Sequence, residues 1–180
     1  DCDSSNIEAR MLAWLAEQED LVQDFANGVD VYCKMASKIY GFDVTKENKQ
    51  ERFVGKTVVL GCGYQTGAIK LQATLKAATP SMDLELRQCE QIIDTYRSSV
   101  RKIVNLWDRS EAAIHAMHSN KSMWLGREGV VLIEGERGIK LPSGLYIHYP
   151  QLHIGKKQGA YGGFSSTWMY KDDNGMTSIY

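Results

Sequence analysis

The sequence lacks any paired cysteine spacing. Cys2, Cys33, Cys62 and Cys89 are scattered, which argues against a disulfide framework and against a zinc site, and fits a reducing cytosol. An apolar run of membrane-spanning length is absent, as is a signal-like start, so no membrane partner is expected. Charge excess is missing too. With 21 Lys+Arg against 22 Asp+Glu the net charge is −1, so no global field draws in a polyanion and any nucleic-acid contact must come from local basic patches. Repeats, low-complexity segments and linkers are also lacking. What is there is globular: 180 residues, 43% hydrophobic and 24% charged, enough for one ordinary domain or a piece of a larger one. The first residue is Asp, and polar, catalytic-looking residues follow within ten positions, which is what an excised segment would show.

Apolar spacing predicts helix from Asn6 to Ala26, through Ile7, Met11, Leu12, Leu15, Leu21, Val22 and Phe25, with Gly28 as its stop. Asp30 is placed to cap a helix running through Val31, Met35 and Ile39 to Tyr40, with Gly41 after its end. Thr45 is expected to cap a third, entered through KENKQER. Residues 67–77 and 82–119 carry helical spacing, separated by Pro80. After Asn120 the pattern changes to short β-type runs, VVLIEGERGIKL and GLYIHY, and TWMYKDDNGMTSIY reads as a hairpin with DDNG at its tip. The fold class is α+β: a mainly helical region followed by a small antiparallel β region.

The stretch RFVGKTVVLGCGY, residues 52–64, admits two readings. As a strand and turn, Gly61-x-Gly63-x-x-x-Gly67 approaches a dinucleotide-binding fingerprint, with Asp83 and Glu85 about twenty residues on for a ribose. The parallel strands such a unit needs are not predicted. Gly55-Lys56-Thr57 fails as a P-loop because Gln50 stands where a glycine is required. As a helix, Arg52, Lys56, Leu60 and Tyr64 fall at i, i+4, i+8 and i+12, a slowly drifting line on one face. Two cations one turn apart can grip a polyphosphate, and an apolar surface followed by an aromatic ring can hold a base by stacking. On that reading Gly61 and Gly63 give room for a large ligand against the backbone. The plain alternative is an amphipathic helix whose Arg and Lys, with Lys46 and Lys49, form a solvated basic strip.

Asp3-Ser-Ser-Asn-Ile-Glu8-Ala-Arg10 resembles motif A of family A DNA polymerases, and Arg52-x3-Lys56-x3-Leu60-x3-Tyr64 resembles the same family's motif B on the fingers helix. Asp30-Val31-Tyr32 falls where the family often has Asp-Ile-His, and LPSG at 141–144 is similar to phage-type members. The resemblance covers essentially the whole chain and implies a fragment of a DNA-directed DNA polymerase: motif A and the first fingers helices over 1–44, fingers helices with the nucleotide-binding helix over 45–120, and an antiparallel β region adjoining the palm over 121–180.

By that resemblance, the catalytic roles go to Asp3 and Lys56. Asp3, with the Ser4 carbonyl, would hold Mg²⁺ in a two-metal site. Glu8 would close the space beside the sugar, Arg52 and Lys56 would hold the triphosphate, Tyr32 would approach the terminal phosphates, Leu60 would lie beneath base and sugar, and Tyr64 would stack at the template position. The partners implied are a DNA primer-template, deoxynucleoside triphosphates, and the remaining palm and thumb in cis or in trans; the location implied is the cytoplasm, that of a bacterial host if phage-encoded. Departures from the family are Leu60 in place of an aromatic, Gln65 in place of Gly, and Leu145 in place of Arg. The second metal-binding carboxylate has no counterpart, since Asp172-Asp173 reads as a turn, so the isolated chain is expected to be inactive. The rival readings are a nucleotide- or DNA-binding subunit of a split polymerase and a dinucleotide- or methyl-donor-binding domain. His115 and His118 read as an exposed helical pair rather than a metal site. Trp14, Trp107 and Trp124 read as core or interface, and Trp168 is expected to need the absent palm as cover.

Overall fold

Valine-rich and polar segments alike become helix in the first part of the chain. The computed structural model describes residues 6–79, 81–158 and 163–179. Within these, α1 (Ile7–Leu15), α2 (Glu19–Ala26), α3 (Val31–Tyr40), α4 (Lys49–Gly63), α5 (Ala68–Lys76), α6 (Leu86–Ser99) and α7 (Arg101–His118) precede seven short strands. The chain divides into two units, Asp1–Leu106 and Trp107–Tyr180. The architecture is α+β.

Several helix ends lie where the residues place them. The Asp30 side chain accepts hydrogen bonds from the Tyr32 and Cys33 amides, and Gly41 closes α3 at φ 75°, a left-handed conformation that glycine takes without cost. Glu85 and Gln88 form a reciprocal capping box at the start of α6. Other ends are set from a distance. The continuous helix expected from Asn6 to Ala26 is broken: Glu17 sits at φ 58° and Gln18 is buried. The Gln18 amide group donates to Asp20 Oδ1 and accepts from the Lys102 backbone N–H at 3.0 Å. It thus satisfies an orphan amide at the start of α7 from 84 residues away, a demand no local pattern reveals. The run expected over 82–119 breaks at Val100, where φ −131° and ψ 53° leave the helical region. Pro80, expected to separate the preceding helices, lies outside the described residues. Thr45 does not cap α4. Its N–H and hydroxyl both bond the Asn48 Oδ1, a local side-chain turn that delays the helix to Lys49.

Helix α4 settles the ambiguity of residues 52–64. Lys49–Gly63 is one helix, and all strand pairings among the described residues are antiparallel, so the dinucleotide-binding unit is not formed. The β-branched valines accept helix because Val54, Val58 and Val59 lie in its buried stripe with Gly55 and Cys62; burial overrides a β preference. Gly55 is the tightest point. A Cβ there would lie 2.2 Å from the Tyr32 carbonyl oxygen and 3.0 Å from the Ala36 nitrogen, so only glycine lets α3 and α4 come this close. Gly63 serves packing as well, since its Cβ would meet Leu12 Cδ2 at 3.1 Å. The room at Gly63 is therefore filled by α1 rather than kept for a ligand.

In the second unit, β1 (Ser122–Leu125), β2 (Val131–Glu134), β3 (Ile139–Lys140) and β4 (Tyr146–Ile147) form one sheet in sequence order. A second is built from β5 (His153–Gln158), β6 (Phe164–Asp172) and β7 (Gly175–Ser178). The DDNG stretch is a hairpin tip, with Asp172 paired to Gly175, Gly175 at φ 122° and the Asn174 amide donating to Asp172 Oδ1. The core of this unit gathers Ala113, Ile114, Met117, Ile133 and Trp168. Trp168 needs no outside cover: it is 7% exposed, and the His115 and His118 rings pack on it with centroids at 4.9 and 5.3 Å. The two histidines, exposed on α7, act as an aromatic lid. Trp14 and Trp124 are more than a third exposed, so neither is a core residue of its unit.

Candidate functional site

The candidate site lies within the first unit, on α4 and the elements beside it. Successive positions four apart drift by about 40° around a helix. The line of Arg52, Lys56, Leu60 and Tyr64 therefore starts on the flank of the buried stripe, next to α3, and turns outward along the helix. The ends of the line agree with this course, with Arg52 half-buried and Tyr64, at the end of α4, 69% exposed; between them Lys56 is exposed and Leu60 half-buried.

Arg52 is held firmly. Its Nε donates to Asp30 Oδ2 at 2.9 Å, its Nη2 stands 2.9 Å from the same oxygen as an ion-pair contact, and its guanidinium lies 5.4 Å from the centroid of the Tyr32 ring, a cation–π distance. Burial pushes the Asp30 carboxyl up, but the Cys33 amide, the Arg52 guanidinium and the Tyr32 amide outweigh it, and the group ends below the usual carboxylate range. The hydrogen bond to Asp30 is also what raises Arg52 further above its already high range. Tyr32 itself is buried. Its hydroxyl donates to Asn6 Oδ1, three positions after Asp3, so an approach to a phosphate would first require that bond to break.

At the other end of α4, the Glu8 side chain lies close enough to the Tyr64 hydroxyl to lift the phenol above its usual range, through its accepting oxygens first and its charge last. Glu8, at the start of α1, is exposed. The site thus brings Glu8, Tyr32, Arg52, Lys56, Leu60 and Tyr64 into one unit around α4. Asp3 and Ser4 lie outside the described residues. Among the described residues, no group of three His, Cys, Asp or Glu side chains could hold a metal ion; the Mg²⁺ expectation rests on Asp3 and Ser4, outside the described residues. Among the described residues the cysteines offer no nucleophile: Cys33, Cys62 and Cys89 are buried thiols, and burial pushes Cys62 up to about 12.

Sequence reasoning missed two parts of the arrangement. Asp30 was legible as a cap but not as the partner of Arg52, and Gly55 gave no sign of the helix crossing it permits. The signal available was the short distance from Asp30 to the motif-like Tyr32.

Residues 1–134 match the family model for DNA polymerase family A. The chain belongs to this family. It is 31% identical over 163 residues to the DNA polymerase of Bacillus phage SP02, a match covering 87% of this chain and 25% of the phage protein. It is 38% identical over 73 residues to DNA polymerase I of Chloroflexus aurantiacus, covering 41% of this chain and 8% of that one. Against the thermostable DNA polymerase I of Thermus filiformis it is 30% identical over 101 residues, covering 56% and 11%. The chain thus spans at most about a quarter of the length of these family A relatives. No helix among the described residues is long and apolar enough to cross a membrane.

Proposed function

We propose that this chain forms the fingers subdomain and adjoining palm edge of a phage-type family A DNA polymerase, acting in the cytoplasm. In this reading α4 binds the incoming deoxynucleoside triphosphate for template-directed addition to a primer 3′ end. Phosphoryl transfer of this kind is achieved by positioning and charge neutralisation. Arg52, seated against α3, and Lys56, one turn on and exposed, neutralise and orient the triphosphate. Leu60 offers an aliphatic surface to base and sugar, with less stacking than an aromatic ring would give. Tyr64, beside Glu8, stands at the template position, and the Glu8 carboxylate crowds the sugar. Mg²⁺ would supply Lewis-acid stabilisation of the transferring phosphoryl group when bound at Asp3 and Ser4.

The observation that carries this reading is the continuity of α4: two cations lie one turn apart along a single helix, with an aromatic at its C-terminal cap two turns further on, and the first cation is already fixed. The test is titration of the 180-residue chain with dATP, comparing Lys56→Ala with the unaltered chain. The expected loss in affinity is about tenfold, the scale of one charged hydrogen-bonding partner; equal affinities would make α4 a structural remnant. The same preparation, given primer-template and Mg²⁺, is expected to extend no primer, because the second metal-binding carboxylate and the thumb are supplied in cis or in trans. Robust extension would overturn that part of the reading.

A further inference from the structure

We infer that Asp30 is a positioning residue for nucleotide binding, holding the Arg52 guanidinium in the orientation in which it meets the triphosphate. The inference rests on the reading of α4 given above and adds to it a residue that lies on another helix.

Asp30 has two separate jobs, one for each oxygen. Oδ1 accepts the Tyr32 and Cys33 amides, both at 3.1 Å, and this is ordinary helix capping. Serine or asparagine would do it about as well. Oδ2 takes no part in the cap and instead accepts from Arg52 Nε at 2.9 Å, with Nη2 in ion-pair contact at the same distance. Only this second job needs a negative charge. A stabilising salt bridge is the plain alternative, but the pair is a poor candidate for one. The side chains of Arg52 and Asp30 keep 33% and 20% of their exposure, and ion pairs this open to water contribute little to stability. Their value lies in geometry.

A free arginine samples many rotamers, and ordering it opposes ligand binding. Here the order is imposed beforehand, by Asp30 on one edge of the guanidinium and the Tyr32 ring on one face. The Nε donor is taken by Asp30, and a guanidinium has more N–H groups to give, in a planar fork suited to phosphate oxygens. Gly55 sets the scale of the device, because a Cβ there would push α4 off the Tyr32 carbonyl and carry Arg52 away from Asp30. The carboxylate does not make the site repel phosphate: Arg52 balances it, and Lys56 forms no ion pair among the described residues.

The test is a double-mutant cycle read by dATP titration of the 180-residue chain, with thermal unfolding recorded without nucleotide. Asp30→Asn preserves the cap but turns an amide toward Arg52. It is expected to weaken dATP binding about tenfold while the unfolding temperature stays nearly unchanged. Asp30→Ser, which also caps, is the second variant and should behave alike if asparagine disturbs folding. Arg52→Ala should weaken binding at least as much, and the double variant Asp30→Asn/Arg52→Ala should be no weaker than Arg52→Ala alone, because Asp30 acts through Arg52. Additive losses in the double variant, or unchanged affinity in both Asp30 variants, would overturn the inference and leave the nucleotide site standing. If Arg52→Ala leaves affinity unchanged, the inference falls together with the phosphate role of Arg52, while Lys56→Ala reports separately on the site as a whole.

Discussion

The two units solve the same problem, hiding apolar side chains, with unequal means. In the first, buried residues are spread over every helix from Ala9 on α1 to Ile103 on α7, and each helix hides one stripe against its neighbours. In the second, the buried set is a single cluster of five residues around Ile133 and Trp168, and large apolar side chains such as Leu145, Ile154 and Phe164 stay well exposed. The difference teaches where each unit is vulnerable. A distributed core tolerates the loss of one contact but depends on close helix crossings; a small core depends on each of its members.

The sharpest way to break this contrast is Ile133→Ala, which removes a fully buried side chain from a five-member cluster. It is expected to cost about 3–4 kcal/mol, near the upper range for such truncations. It should unfold the second unit in urea at a far lower midpoint while dATP binding by the first unit persists; loss of both together would refute the separation. Next in size is Gly55→Ala. The gain in helix propensity, about 1 kcal/mol, is outweighed by overpacking against the Tyr32 carbonyl, for a net loss of about 2 kcal/mol. Circular dichroism during thermal unfolding would register it, and a neutral or stabilising outcome would mean that the α3–α4 crossing has slack. The smallest effect is on pH. The Asp30 carboxyl is held below its unfolded value, so its contribution is fully present above about pH 4 and is lost as pH falls through the depressed folded value. Below about pH 4 the stability of the first unit should fall more steeply in the unaltered chain than in Asp30→Asn, measured by urea midpoints. Parallel slopes would remove Asp30 from the acid response.

Legibility in the sequence followed the range of the interaction. Asp30 over the α3 amides, Gly41 at the end of α3, the Glu85–Gln88 box and the DDNG turn could all be read because each is decided within a few residues. The broken helix at Glu17–Gln18 could not, because its cause is an amide in α7. The delayed start of α4 was local but ambiguous: Asn48 could cap the helix or bond Thr45, and both are ordinary uses of that side chain. Residues 52–64 were ambiguous for another reason. Glycines and β-branched residues argued for a strand, and only the packing of their valine stripe made them a helix.

The sequence by itself determined the α+β class, the family through its two motifs, and the spacing that puts Arg52, Lys56, Leu60 and Tyr64 along one side of a helix. The class and the spacing are consequences of backbone period and local side-chain chemistry, and the family is carried by the resemblance of the two motifs. The tertiary structure alone decided that Gly55 brings α3 against α4, that Asp30 turns its second oxygen to Arg52, that Glu8 meets Tyr64, and that two histidines cover Trp168. Each of these joins residues distant in the chain, and their meeting depends on how closely elements pack, a quantity set by the whole unit and written in no single stretch.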